Sequence, residues 1–261
     1  IAASGGHNVI TYGPPGCGKT LAMQRFSSLL PYLSTEESQS VTRIYSLAGL
    51  LPPKSSLLKT RSFRMPHQSA SLEGMIGGGI NCRPGEISLA HNGILFLDEA
   101  AEFRSSVLQA LRVPLESGKV TLSRAGRHTV FPAQFQLLIA TNPCPCGNFG
   151  SDTKICVCSA HAVEQYWKKF SGPLLDRIDI RIPVLSSSKD LLTDDKTDLS
   201  TEKKSFSTEF LRQDIARAIK VQKSRQGKLN SRLMPEEINY FCKLDSECTD
   251  YLNEQIEKND F

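Results

Sequence analysis

The chain has 261 residues, 39% of them hydrophobic, with a formal net charge of +4 at pH 7; this excludes a wholly disordered polypeptide and allows one sizeable core plus a small second domain. No apolar run approaches the roughly 18 residues that span a bilayer, and the opening residues lack the basic and apolar regions of a secretory signal, so no membrane partner and a cytoplasmic location are expected. The mild positive charge permits a nucleic-acid partner without arguing for one.

The first strand-like segment covers residues 8–12, and Gly13-Pro14-Pro15-Gly16-Cys17-Gly18-Lys19-Thr20 follows it, ahead of an apolar helix expected over 21–30. The octad fits G-x-x-x-x-G-K-[ST] in the strand-before, helix-after context that this motif requires. Its glycines let successive backbone N–H groups turn toward phosphate oxygens, and the helix N-terminus adds a favourable dipole. Lys19 is expected to reach the β and γ phosphates of ATP, and Thr20 to give a hydroxyl oxygen to Mg²⁺. Cys17 lies inside the loop and is read as ordinary packing; sensitivity of ATP binding to modification of its thiol is the alternative.

Gly77-Gly78-Gly79 suits a flexible turn ahead of Arg83. A second strand over 93–97 ends in Asp98 and Glu99, an arrangement in which the first acid organises the magnesium shell and the second polarises the attacking water. Capping of a helix near Phe103 is the alternative. Neighbouring strand residues point to opposite faces, so the chain must turn there for both acids to reach one site. Residues 120–130 alternate as two strands about Gly126, with Arg124 and Arg127 at the tip. A strand over 135–140 leads to Asn142, and a last strand covers 178–184. The sum is a parallel α/β sheet covered by helices.

Of eight cysteines, four crowd together as Cys144-Pro-Cys146 and Cys156-Val-Cys158. Four thiolates can surround one tetrahedral Zn²⁺, although C-x-C is tighter than the usual ligand spacing; reduced structural thiols and a disulfide are the alternatives. A zinc ion here is expected to be structural and remote from chemistry. Residues 1–185 form the expected nucleotide-binding core and 186–207, rich in Ser, Thr, Asp and Lys, a flexible linker. Residues 208–261 form a partial helical lid, with a stripe at Phe210, Ile215, Ala218, Ile219 and Gln222 and a second helix from Pro235 to Phe241.

The phosphate loop, Ile94-Leu-Phe-Leu-Asp98-Glu99, Leu137-Leu-Ile-Ala-Thr-Asn142 and Gly172-Pro-Leu-Leu-Asp-Arg177-Ile-Asp come in the order of an AAA+ ATPase. Together with Arg83-Pro-Gly-Glu-Ile-Ser-Leu-Ala-His-Asn-Gly93 and Asn142-Pro-Cys-Pro-Cys-Gly147 they resemble the magnesium-chelatase-like ComM/YifB family across residues 1–185. The resemblance implies a P-loop NTPase of AAA+ type, a three-layer αβα sandwich with a parallel sheet and a helical lid. It implies Asn142 as sensor 1, Arg177 as an arginine finger acting on the neighbouring subunit's ATP, and two insertions that line the pore of a homohexameric ring; for the first two, an amide capping the next turn and an intramolecular salt bridge to Asp176 or Asp179 are the respective alternatives. Arg83, Arg124 and Arg127 then become candidate contacts to single-stranded or branched DNA, since a cationic loop binds a phosphate backbone without reading bases. The implied activity is ATP-driven DNA branch migration in recombination or natural transformation. A chelatase-type ATPase that remodels a protein partner, and an assembly module that binds ATP without turnover, are the other readings. An expected sensor 2 arginine finds no convincing match.

Overall fold

The computed structural model describes residues 1–51, 57–124, 127–151, 154–185 and 207–259, with backbone alone at Arg124, Arg127 and Asn259. The expected turn at Gly126, the side chains of Arg124 and Arg127, and most of the expected linker lie outside the described residues.

In chain order the first elements are α1 (Ala2–Gly5), β1 (Val9–Tyr12), α2 (Lys19–Phe26), α3 (Thr35–Ala48) and β2 (Phe63–Arg64). Next come α4 (Leu72–Ile76), β3 (Gly77–Gly78), β4 (Arg83–Pro84), α5 (Glu86–Leu89), β5 (Ile94–Leu97), α6 (Ser105–Ala110) and α7 (Arg112–Ser117). The core closes with β6 (Lys119–Arg124), β7 (Arg127–Pro132), β8 (Gln136–Thr141), α8 (Ala160–Lys168), α9 (Gly172–Leu175) and β9 (Ile180–Pro183). Three helices follow: α10 (Thr208–Gln226), α11 (Pro235–Phe241) and α12 (Ser246–Asn259). Among the described residues, no helix is long and apolar enough to cross a membrane.

Five strands pair in the order β2-β5-β8-β1-β9, all parallel. Side-chain alternation explains why both faces need cover. Val9, Ile94, Phe96, Leu138 and Ala140 pack on one face with Met23 of α2. Their neighbours Ile10, Leu95, Leu97, Leu137 and Ile139 pack on the other, with Val107, Leu111, Phe170 and Leu174. Strands buried on both faces read as continuous apolar runs, as Ile94-Leu-Phe-Leu97 does. Burial of each such side chain stabilises the fold by about 1.5–3 kcal/mol. This is an α/β fold of the AAA+ P-loop type.

Two antiparallel ribbons leave this core. In β6–β7 the register runs from Lys119↔Pro132 to Arg124↔Arg127, and Val120, Leu122 and Phe131 anchor the ribbon's base in the core. The other ribbon pairs Gly77 with Pro84 and Gly78 with Arg83. The sequence suggested a flexible turn here, but the glycines serve close approach instead. A Cβ on Gly77 would collide with the Arg83 carbonyl and one on Gly85 with the Gly77 nitrogen, and Gly77 also has φ of 103°.

The helical segment packs behind the sheet. On α10, Gln222 donates to the Ser4 carbonyl (3.1 Å) and accepts from the Asn230 N–H (2.9 Å). Arg212 donates to the Ser28 carbonyl. Leu229 and Ser231 crowd Gly6, just ahead of β1. These contacts join the segment to the end of the sheet opposite the phosphate loop, which follows β1.

Candidate nucleotide site

The carboxyl ends of β1, β5 and β8 lie side by side, with Tyr12 opposite Thr141 and Leu97 opposite Ile139. Open parallel sheets bind ligands at such ends, beside the strand where the chain order reverses. Here the loop after β1, the acids after β5 and Asn142 after β8 converge.

Gly16 and Gly18 adopt φ of 85° and 79°, and a Cβ on either would meet nothing within 4 Å. Backbone conformation, not crowding, therefore demands glycine at both. The space above them leaves the loop open to phosphate oxygens. Lys19 Nζ donates to the carbonyls of Gly13 and Pro14, both at 2.7 Å, and lies 3.5 Å from Asn142 Oδ1. Burial pushes the Lys19 pKa down, against the pull of Cys17, Asp98 and Glu99. The Cys17 thiol donates to the Pro14 carbonyl, inside the loop. Thr20 Oγ1 donates to Asp98 Oδ1 (3.1 Å), which also accepts the Glu99 N–H (3.0 Å). Thr20 and Asp98 thus present two oxygens on one side of the loop, a donor set suited to Mg²⁺, which takes few protein ligands.

β5 ends at Leu97, and Glu99 turns through the left-handed region at φ 47°, ψ 46°. That is an uncommon conformation for a residue with a Cβ. It supplies the turn that the sequence required, leaving Asp98 half-buried beside Thr20 and Glu99 exposed at the mouth.

Asn142 is steadied from behind by α8. Tyr166 Oη lies 2.9 Å from Thr141 Oγ1, and Trp167 Nε1 donates to the Pro143 carbonyl (3.0 Å). The Trp167 ring also meets Tyr12 edge-on at 5.7 Å. The single tryptophan was not singled out from the sequence, although an indole N–H buried beside a strand end generally needs a carbonyl partner.

Arg177 is not brought to this cluster. Its guanidinium pairs with Glu116 (3.1 Å), rather than with Asp176 or Asp179, and borders a cavity of about 160 Å³ shared with Asn8, Asp179 and Arg232. Arg83 stands exposed on β4.

The cysteines do come together. All four Sγ atoms lie within 4.8 Å of one another. Cys144 to Cys146 is 3.4 Å, Cys146 to Cys156 3.6 Å and Cys144 to Cys156 3.8 Å. The Phe149 N–H points at Cys144 Sγ (3.3 Å), and the N–H groups of Asn148 and Val157 pull the Cys146 thiol down to about 6. The cluster is not remote from the nucleotide loop: a Cβ added to Gly147 would lie 2.9 Å from Pro15 Cδ and 3.9 Å from Asn142 Cγ.

Residues 1–192 match the family model described as magnesium chelatase, subunit ChlI, and residues 205–261 match that of the ChlI C-terminal region. The chain is 43% identical over 248 residues to the uncharacterized protein YifB of Escherichia coli, covering 95% of this chain and 47% of that protein. It is 39% identical over 265 residues to the competence protein ComM of Haemophilus influenzae, covering 99% of this chain and 49% of that one. A more distant relative is the magnesium-chelatase 38 kDa subunit of Rhodobacter capsulatus, 24% identical over 151 residues, covering 52% of this chain and 43% of that protein. The chain spans between 36% and 49% of the length of the YifB, ComM and mycobacterial relatives it matches.

Proposed function

The chain belongs to the magnesium chelatase ChlI family, with YifB and ComM proteins among its homologues, and from that premise we propose that it is the ATP-hydrolysing core of a magnesium-dependent AAA+ ring motor acting on DNA. The carrying observation is the meeting of Lys19, Thr20, Asp98 and Asn142 at adjacent strand ends. On this reading the N–H groups of the loop 13–18 hold the phosphates of ATP. Lys19 exchanges the Gly13 and Pro14 carbonyls for β and γ phosphate oxygens. Thr20 and Asp98 would hold Mg²⁺, which would supply charge neutralisation for the phosphates. Glu99 accepts the proton of the attacking water, and Asn142 keeps that water between Glu99 and the γ phosphate.

Arg177 works in trans. Its distance from its own chain's phosphate loop fits a finger that reaches the neighbouring subunit's ATP and stabilises charge there, an effect worth about 10³–10⁵ in rate. Arg83 and the β6–β7 ribbon carrying Arg124 and Arg127 are the DNA-contacting insertions, in branch migration or unwinding. The four thiolates would hold a structural zinc ion. A tetrahedron with Zn–S bonds of about 2.3 Å has S···S edges of about 3.8 Å, close to the spacings of 3.4, 3.6 and 3.8 Å.

The test is Glu99→Gln in the full-length protein. ATP binding is expected to survive while turnover falls by about 10²–10⁴, the share of a general base; unchanged turnover removes Glu99 from that role. DNA is tested by whether single-stranded or branched DNA raises ATPase at fixed salt, and whether Arg124→Ala with Arg127→Ala abolishes the rise. Turnover indifferent to all DNA favours the second reading, remodelling of a protein partner. That reading draws support from the similarity to the magnesium-chelatase 38 kDa subunit.

A further inference from the structure

We propose that the four-cysteine insertion is a metal-dependent brace of the phosphate loop, so that the cluster's occupancy by a thiophilic divalent cation sets the affinity of the chain for ATP. This rests on the nucleotide and zinc readings and adds a coupling between them.

The coupling runs through two short spans. Cys144 is two residues beyond Asn142, and the intervening Pro143 carbonyl is held by Trp167. Gly147 directly follows Cys146, and its N–H closes a turn onto the Cys144 carbonyl at 3.0 Å. That turn sets Gly147, at φ 79°, against Pro15 at a distance that leaves no room for a Cβ. The insertion's approach to the phosphate loop is therefore made by a residue bonded to one cluster cysteine and hydrogen-bonded to another.

Among the described residues, the insertion's outer apolar side chains add little to hold it in place. Phe149, Ile155 and Val157 are 55%, 86% and 83% exposed, so the segment's large apolar side chains contribute little burial. Thiols packed without an ion make weak hydrogen bonds, whereas a bound ion contributes its binding free energy to ordering the segment that supplies its ligands. An ion-free insertion opens at low cost, as sparsely packed segments do. Gly147 then leaves Pro15, and the phosphate loop loses that support.

The experiment uses full-length protein and a fluorescent ATP analogue in excess Mg²⁺. Zinc per chain is measured by atomic absorption before and after treatment with a zinc-selective chelator, which is dialysed away before the binding assay. One zinc per chain is expected; its removal should weaken analogue binding about tenfold or more, and added Zn²⁺ should restore it. Gly147→Ala tests the contact without touching a ligand: it should keep one zinc yet show a comparable loss. Ile155→Ser, on the outer side of the insertion, should change neither. If zinc is present but its removal and Gly147→Ala both leave affinity intact, the brace is overturned while the zinc reading stands. Absence of zinc from the untreated protein overturns both. Failure of the zinc-loaded protein to bind the analogue sinks the nucleotide reading itself.

Discussion

At the residue scale, His91 shows how a side chain outside the reaction conditions the protein. It is 5% exposed; Nδ1 accepts the Gln134 N–H (3.1 Å), and Nε2 lies 3.0 Å from Ser40 Oγ and 3.1 Å from Asn92 Nδ2. Burial holds its pKa near 4, with Arg232 helping and Glu37 opposing. The unfolded chain takes up this proton near pH 6.5, whereas the folded chain resists until about 4. Stability from neutral His91 is therefore complete above pH 6.5 and declines as pH falls toward 4, by up to about 3 kcal/mol. Urea midpoints between pH 7.5 and 4.5 should fall less steeply in His91→Gln; equal slopes would contradict this. The sequence displayed the phosphate loop and the acid pair because their chemistry imposes fixed local spacing. Nothing local marked His91, Trp167 or the Gly147–Pro15 contact, which depend on partners far along the chain.

At the element scale, α3 shows a signal left unused in the sequence. Ser34-Thr-Glu-Glu37 is a capping box: Ser34 Oγ accepts the Glu37 N–H, and the Glu37 carboxylate accepts the Ser34 N–H. Glu37 Oε2 also pairs with Arg61 at 3.0 Å, where the Arg61 side chain is only 18% exposed. Ser34→Ala should cost about 1 kcal/mol. Glu37→Ala should cost more, about 3 kcal/mol, because it removes the carboxylate half of the box and leaves a largely buried guanidinium, still bonded to the Pro31 and Asn92 carbonyls, without its counter-charge; equal losses in urea unfolding would place Arg61 outside the coupling. The long core strands were legible because their apolar runs are continuous. β2 was not, since Phe63-Arg64 is too short to show a period; α12 went unassigned although Cys248, Tyr251, Leu252 and Ile256 fall at helical spacing. The shift from a flexible turn to the tight β3–β4 ribbon has a similar origin: glycine composition does not reveal what backbone it will meet.

At the scale of the whole molecule, the phosphate loop, Asp98, Glu99 and Asn142 share one end of the sheet, while Arg177 lies apart in a cavity with Arg232. Helix α10 closes against α1 and Ser28 instead of covering the loop. Helical periodicity indicated that such a helix exists, but its docking depends on single polar contacts such as Gln222 to Ser4, to which a pattern search is blind. A chain so arranged offers its phosphate loop on one side and a guanidinium on another, and in the proposed ring neighbouring copies combine the two. The direct test is steady-state ATPase of full-length Lys19→Ala and Arg177→Ala proteins, alone and mixed in equal amounts. Each alone should be nearly inactive, and the mixture should recover a measurable share of wild-type turnover, because an intact phosphate loop then meets an intact Arg177 across some interfaces. Full activity of Arg177→Ala alone, or a mixture as inactive as its components under conditions where they co-assemble, would contradict catalysis shared between subunits.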